Sequence, residues 1–292
     1  MFFFVISGYL ITSIIIKKVS SGEFSFKDFY ERRARRILPP LIATFIISIF
    51  LAYLLMMPSP IKNFAQSLIS SIFFVSNFLF YFESDYFDQS VKIKPLIHLW
   101  SLSIEEQFYI IFPGLILFLK RKRISIFGIS LLLTIISFIA YLSYSTKDST
   151  AVFYLSHFRF WEILCGSLLA IYLFEKKIIL SSWKLSSIGN LLIIFSLFKF
   201  LPNELNLITV IFGSILSIAF GSHNQNLLSQ KFLVNIGLIS YGLYLYHQPL
   251  FAFYRIYKNS EIGLDEGIFL VIVSFIIAYI SFRFLEKPIR AK

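Results

Sequence analysis

The feature that most constrains this sequence is a series of long apolar runs separated by short polar loops. A helix that crosses a membrane needs about 20 mostly apolar residues, and nine runs reach or approach that length. They are Ile37–Met57, Phe64–Phe82, His98–Leu119, Ile124–Tyr144, Val152–Phe174, Leu185–Leu201, Leu205–Phe220, Phe232–Tyr254 and Gly267–Leu285. A tenth, shorter run covers Phe2–Ile16. The pattern predicts an all-α, polytopic integral membrane helix bundle with no soluble domain between its spans.

Composition supports a membrane protein over a soluble one. Hydrophobic residues make up 57% of the chain and charged residues 15%, whereas soluble domains carry about 25% charge. The net charge of +11 does not indicate a nucleic-acid partner, because the basic residues cluster in short loops between apolar runs, as in cytoplasmic loops of membrane proteins. The single cysteine, Cys165, excludes a disulfide framework within the chain.

The charges also predict a topology. The segment Lys17–Arg36 holds seven basic residues and is expected in the cytoplasm. If all ten runs crossed, the "KRKR" of Lys120–Arg123 would lie outside and the acidic Glu83–Ser90 inside. Both assignments improve if Phe64–Phe82 is a re-entrant or interfacial segment on the outer side. We therefore expect about nine crossings plus this segment, which implies an outward-facing cavity because re-entrant backbone is tolerated only in protein or beside water.

The stretch "HLWSLSIEEQFYIIF" places two adjacent glutamates in an apolar helix. His98, Ser101, Glu105 and Tyr109 share one helix face, whereas Glu106 points about 100° away from Glu105. Ionisable groups inside a membrane are expensive and usually functional. The alternative is a structural ion pair or a shallow position at the interface.

The stretch "FYERRARRILPP" is basic and precedes an apolar run, with Pro39 and Pro40 expected in the first turn of the helix. Arg33 and Arg36 would present two guanidinium groups on one face, which suits bidentate contacts with phosphate. A positive anchor that binds lipid headgroups is the alternative interpretation.

Two further stretches carry polar residues within apolar runs. In "SHFRFWEILCGS", Arg159 and Glu162 are spaced to form either a local salt bridge or part of a site. In "ISYGLYLYHQPL", Tyr241, Tyr244 and His247 form a polar stripe next to Pro249, which favours a cavity. A hydrogen-bonded core histidine is the alternative.

The remaining polar features favour structural roles. In "FRFLEKPIR" we expect a charged helix end, and at Ser7-Gly8 we expect close helix packing. The four histidines, His98, His157, His223 and His247, lie on separate segments without metal-ligand spacing. No metal site, nucleotide-binding loop or permanently bound cofactor is indicated.

Taken together, these motifs resemble the acyltransferase-3 family of integral membrane O-acyltransferases. The resemblance rests on "FFFVISGYLIT", "FKDFYERRARRILPP", "FVSNFLFYFESDYFD", "KPLIHLWSLSIEEQFYIIFP", "FRFWEILCGSLLA", "ISYGLYLYHQPL" and "FRFLEKPIR", whose order and spacing agree along essentially the whole chain. It implies transfer of an acyl group, commonly acetyl, from cytosolic acyl-CoA to a hydroxyl of an extracytoplasmic carbohydrate, such as a surface polysaccharide, lipopolysaccharide or peptidoglycan. It also implies a multi-pass protein of the bacterial inner membrane. The lipid bilayer, acyl-CoA and the carbohydrate are the expected partners, and a separate extracytoplasmic partner is left open.

The resemblance assigns the Arg-x-x-Arg motif, Arg33 and Arg36, to the acyl donor. We expect catalytic roles among the two glutamates and two of the histidines, and substrate contacts from polar and aromatic residues of the same motifs. The catalytic candidates are His98, Glu105, Glu106 and His247, and the substrate-binding candidates are Trp100, Ser101, Arg159, Glu162 and Tyr241.

Members of the family begin with a further helix that bears an Arg and a His thought to act as the base. This sequence starts at Met1 within the next run, so residues 1–292 are expected to form one membrane acyltransferase domain that is N-terminally truncated relative to the family. A glycolipid or small-solute transporter or flippase, and an inactive fragment, are the alternatives to an enzyme.

Overall fold

The protein is described by a computed structural model that covers residues 2–84, 91–221 and 229–290. Helices account for nearly all regular structure in these ranges, and the one β contact that they contain is an isolated bridge between Ser181 and Gly221. Most of the acidic loop expected outside the membrane, and His223, lie outside the described residues. The chain divides into two compact units.

Six helices within the described ranges are long and apolar enough to cross a membrane. They are Phe2–Ser21, Phe26–Leu55, Leu99–Arg121, Ile126–Tyr144, Asn203–Phe220 and Leu264–Arg290. Many large apolar side chains on these helices are exposed, for example Phe50 and Ile46, each at 62%, as expected for surfaces that contact lipid. The chain is therefore an all-α, multi-pass membrane protein, as the apolar runs predict.

Unit 1 comprises Met1–Phe24 and Ile104–Gln230. Its helices are α1 (Phe2–Ser21), most of α5 (Leu99–Arg121), α6 (Ile126–Tyr144), α7 (Ser149–Tyr154), α8 (Phe160–Lys176), α9 (Trp183–Leu197) and α10 (Asn203–Phe220).

Small residues let the helices of unit 1 approach closely. A Cβ atom on Gly8 would lie 1.9 Å from the carbonyl oxygen of Ile163, and one on Gly166 would lie 1.9 Å from that of Val5. This reciprocal contact joins α1 to α8 and agrees with the packing role expected for Ser7-Gly8. Small residues serve the same purpose in many membrane helix pairs because they allow the two backbones to come together.

Unit 2 comprises Ser25–Ser103 and Lys231–Lys292. Its helices are α2 (Phe26–Leu55), α3 (Pro58–Ile72), α4 (Ser76–Ser84), the first turn of α5, α11 (Lys231–Lys258), α12 (Leu264–Ser281), a π-helical turn (Phe282–Glu286) and α13 (Lys287–Arg290). Its apolar core joins α2, α3, α5 and α11 through buried side chains that include Leu41, Phe64, Leu99, Leu245 and Phe253.

The start of α2 differs from the sequence expectation. Pro39 and Pro40 do not open the helix, because α2 already begins at Phe26, where Ser25 caps it by accepting a hydrogen bond from the backbone N–H of Asp28. Both prolines lie inside the helix, where Thr44 donates its hydroxyl to the carbonyl of Pro40. The arginine-rich stretch is consequently helical and not a loop.

Two predicted runs are interrupted. The run Phe64–Phe82 forms α3 and α4, which pack against each other and are separated by a turn in which Phe74 has a positive φ of 54°. α3, with 15 residues, is roughly 22 Å long and too short to cross alone. The prediction of a single helix over Val152–Phe174 was wrong, because a 3₁₀ turn, Ser156–Phe158, separates α7 from α8.

Candidate functional site

The first candidate group is the arginine face near the start of α2, in unit 2. Arg33 is half-buried and Arg36 is exposed, and their i, i+3 spacing in a continuous helix puts them on one face. Arg35 lies on another face and forms an ion pair of 2.6 Å with Glu31. The side chains assigned to the acyl donor are thus held by a regular helix that continues for roughly 28 Å from Arg36 to Leu55.

Glu286, at the end of the last long helix, belongs to the same end of unit 2. It is fully buried, and its Oε2 accepts a hydrogen bond of 2.5 Å from Arg290. A Cβ atom on Gly242 would lie 3.2 Å from its Oε1, so this glycine leaves room for the carboxylate. The π-helical turn Phe282–Glu286 brings the carboxylate inward, and such turns are frequent at functional sites. The sequence predicts a charged helix end here and does not indicate that the carboxylate of Glu286 is buried.

The second candidate group lies where α5 begins, also in unit 2. The hydroxyls of Ser101 and Tyr244 are 2.8 Å apart, and Tyr244 also donates to the backbone carbonyl of His98. The ring of His98 is buried and contacts Tyr244 edge to face, with ring centroids 5.1 Å apart. Residues from two separate motifs, His98 and Ser101 from one and Tyr244 from the other, are therefore brought together.

His247 completes this group. Its ring centroid lies 5.6 Å from that of His98 and 6.0 Å from that of Tyr244. Its Nδ1 is 3.1 Å from the carbonyl oxygen of Leu243. Because a carbonyl only accepts, this contact requires the proton on Nδ1 in the neutral ring and leaves Nε2 as the basic nitrogen.

Two further substrate-binding candidates, Tyr241 and Trp100, also lie in unit 2. Tyr241, one turn before Tyr244, donates its hydroxyl to the carbonyl of Ile37 at 3.2 Å and packs against the core of unit 2. This bond joins α11 to α2 where the helix passes through its two prolines. Trp100 is half-buried in the first turn of α5.

The third candidate group is in unit 1 and contains Glu105. Ser7 donates to its Oε2 at 2.9 Å and Tyr109 does so at 3.2 Å, while the hydroxyls of Ser7 and Tyr109 also contact each other. Glu105 and Glu106 are both half-buried. Sequence reasoning missed Ser7 as a partner of Glu105, since 98 positions separate the two residues.

The fourth candidate group, Arg159 with Glu162, is also in unit 1. The two side chains form an ion pair of 2.5 Å and are 2% and 0% exposed. Arg159 also donates its Nε to the carbonyl of Phe153 at 3.2 Å and lies over the ring of that residue. The pair is thus enclosed by its own surroundings, which is the geometry of a local salt bridge.

In residues 2–84, 91–221 and 229–290, no group of three or more His, Cys, Asp or Glu side chains is arranged to hold an ion. The four candidate groups contain imidazoles, carboxylates, hydroxyls and guanidinium groups.

Comparison with known proteins gives a family match over most of the chain. The acyltransferase-3 profile, described as an acyltransferase domain, matches residues 1–283. The O-acetyltransferase OatA of Staphylococcus aureus is 34% identical over 321 aligned residues, covering 99% of this chain and 52% of the relative. The peptidoglycan O-acetyltransferase OatA of Listeria monocytogenes is 32% identical over 315 residues, covering 99% of this chain and 50% of the relative.

The chain therefore spans about half the length of these curated relatives. No solved structure matches it.

Proposed function

Because the chain belongs to the acyltransferase-3 family, we propose that it is a membrane O-acyltransferase that moves an acyl group from acyl-CoA to a hydroxyl of a cell-envelope carbohydrate. Acetyl is the expected group, since both relatives are named O-acetyltransferases, and one is named for peptidoglycan. The bacterial cytoplasmic membrane is the expected location, because it separates a cytosolic donor from an envelope acceptor.

The observation that carries this proposal is the arginine face of α2. CoA is polyanionic, and guanidinium groups bind phosphate through paired, charge-assisted hydrogen bonds. Arg33 and Arg36 lie on one helix face, and Arg35, which pairs with Glu31, lies on another. In the predicted topology this face is cytoplasmic, where acyl-CoA is available, and the other end of α2 reaches the outer side.

The reaction requires a base, because an alcohol is a poor nucleophile until its proton is removed. The acceptor oxygen forms a bond to the thioester carbonyl carbon, the carbon–sulfur bond breaks, and the CoA sulfur leaves with the bonding electrons. The proton taken from the alcohol balances the charge on the departing sulfur. His247 is suited to carry this proton, since its Nδ1 contact with Leu243 leaves Nε2 as the basic nitrogen.

His98, Ser101 and Tyr244 are suited to orient the acceptor and His247. The Tyr244 hydroxyl contacts both the Ser101 hydroxyl and the backbone of His98, which restricts the rings around His247. In unit 1, Glu105 accepts hydrogen bonds from Ser7 and Tyr109. We assign this carboxylate the role of polarising or positioning a hydroxyl group.

The donor assignment is tested with full-length protein in nanodiscs that receive acetyl-CoA and a cell-wall glycan acceptor. Release of free CoA and formation of O-acetyl ester are both measured. Arg33→Gln and Arg36→Gln should each raise the KM for acetyl-CoA about tenfold, as expected for a lost charged hydrogen bond. Arg35→Gln is the matched control and should leave the KM unchanged.

Equal KM values for all three variants would contradict the donor assignment. Release of CoA without ester formation, or movement of glycan without CoA release, would contradict acyl transfer itself.

A parallel comparison of His247→Gln with His157→Gln tests the proton carrier: the first substitution should lower kcat and the second should not.

A further inference from the structure

A cavity of about 620 Å³ lies in unit 2 at the end of α2 opposite the arginine face. Its walls come from the end of α2, the start of α3, the segment before α5 and the end of α11. The volume is within the range of roughly 300–1,000 Å³ that is usual for small-molecule sites. None of the residues assigned above to donor binding or proton transfer lines it.

The charged residues around this cavity comprise three cations and two carboxylates: Lys92, Lys94, Arg255, Glu83 and Glu261. Lys94 and Glu83 form an ion pair of 2.6 Å in which the side chains are 15% and 17% exposed. Lys94 also lies over the ring of Phe80. This pair is enclosed and fixes the wall, so we do not expect it to open for a ligand.

The pair of Lys92 and Glu261 is different. Its nitrogen and oxygen are 2.8 Å apart, but the two side chains are 58% and 75% exposed. The hydrogen bond from Lys92 lowers the pKa of Glu261 below its ordinary value, so this carboxylate is ionised at neutral pH. Exposed ion pairs contribute little net free energy, and an incoming anion can therefore replace Glu261 beside Lys92 at low cost.

Arg255 provides further donors at the same edge. One Nη1 hydrogen bond of 3.1 Å goes to the carbonyl of Lys92, and the guanidinium lies over the ring of Phe251. Its Nε is buried and has no hydrogen-bond partner among the described residues. A planar guanidinium that lines the cavity next to an exchangeable lysine suits a carboxylate.

The other lining residues combine an apolar wall with neutral polar groups. Pro60, Phe64 and Ile256 offer apolar surface, and Asn63 and Asn259 offer amide groups. A sugar ring presents apolar C–H faces and hydroxyl edges, so both kinds of surface would be used. A lone phosphate headgroup would use the cations but not the spread of amides.

We propose that this cavity binds an acidic sugar unit of the acceptor glycan, with its carboxylate on Arg255 and Lys92. Its role as an acceptor subsite rests on the proposed acyl transfer, whereas the binding itself does not. In the predicted topology the cavity opens on the outer side, where an envelope glycan is present.

Binding is tested with the full chain in phosphatidylcholine nanodiscs and without acyl-CoA. The probes are tetragalacturonate and its methyl ester, which keep the same rings and differ in the carboxylate charges. The acid should bind more tightly than the ester. Arg255→Gln and Lys92→Gln should each weaken binding of the acid roughly tenfold and leave binding of the ester unchanged.

Lys62→Gln is the matched control. Lys62 is exposed on α3, between the lining residues Pro60 and Asn63, and does not itself line the cavity. The substitution removes the same charge close to the site and should leave binding of the acid unchanged. An equal loss in this variant would overturn the proposal, because it would indicate a general effect of surface charge.

Two further outcomes would also overturn it. Equal affinities for acid and ester would exclude carboxylate recognition. If phosphatidylglycerol in the nanodisc abolishes the preference for the acid, the cations bind lipid headgroups. In a separate assay, acetyl-CoA is added to the same preparations and release of CoA is measured. Selective binding without acyl transfer would count against the proposed function and support the cavity assignment.

Discussion

The two units handle buried polar groups in different ways. In unit 1, Arg159 and Glu162 pair with each other out of contact with solvent, and glycine contacts hold α1 against α8. Unit 2 also has the enclosed pair of Lys94 with Glu83, but further cations lie at both ends of α2: one set on the arginine face and another around the cavity. Enclosed pairs favour a scaffold, whereas exposed or exchangeable cations favour ligand binding.

The largest expected effect comes from the enclosed pair. Arg159→Met leaves Glu162 buried without its partner, and such a change destabilises a protein by about 3–5 kcal/mol. Adding Glu162→Leu should restore most of the loss, because an apolar pair needs no charge compensation. Unfolding in mixed micelles measures both variants. In unit 2, by comparison, Lys92→Gln should cost less than about 1 kcal/mol. An Arg159→Met variant as stable as the parent would remove this contrast between the two units.

Glu105 should give the next largest effect, on activity. Glu105→Ala removes the carboxylate held by Ser7 and Tyr109 and should lower acyl transfer about 100-fold or more without preventing membrane insertion. Glu175→Ala, which alters an exposed carboxylate in the same unit, is the control. Glu106→Ala, assayed in parallel, identifies which of the adjacent glutamates carries the effect. Full activity in Glu105→Ala would reduce unit 1 to a scaffold alone.

The glycine contact should give a moderate loss of stability. Gly166→Ala places a Cβ atom 1.9 Å from the carbonyl of Val5, so α1 and α8 must separate, at a cost of about 1–3 kcal/mol. Gly114→Ala adds the same methyl group where no atom lies within 4 Å, and should be neutral or slightly stabilising. Equal stabilities for the two variants would show that close packing does not hold unit 1 together.

A smaller effect on stability is expected from Tyr244→Phe in unit 2. The change removes one hydroxyl that contacts Ser101 and the backbone of His98, which should cost about 1 kcal/mol. If this group orients His247, kcat should fall by more than the loss of folded protein explains. A change in stability with an unaltered kcat would instead indicate a purely structural contact.

The sequence predicts the helices well, because long apolar runs have few alternatives in a membrane. It predicts from their spacing that Arg33 and Arg36 share one face, but it places the start of the helix too late, at the two prolines. It does not predict where helices break. Ser25 starts α2 well before its prolines, and at the break before α8 the distant Ser137 of α6 contacts the carbonyl of His157 and the backbone N–H of Trp161.

The sequence predicts less well which side chains contact each other within the candidate site. The pairing of Glu105 with Ser7 and of Tyr244 with His98 joins residues 98 and 146 positions apart. A helical pattern shows which residues share a face, but not what that face meets. The roles proposed for the two glutamates and two histidines remain predictions for this reason.

The central claim is that an acyl group passes from a donor at the arginine end of α2 to an acceptor at the other end. Vesicles that contain oriented full-length protein, with labelled acetyl-CoA on the arginine side and glycan on the opposite side, test it most directly. The account predicts labelled O-acetyl ester on the glycan side, lost in Arg33→Gln/Arg36→Gln but not in Arg35→Gln. Label that stays on the donor side, or ester that forms equally in all variants, would contradict it.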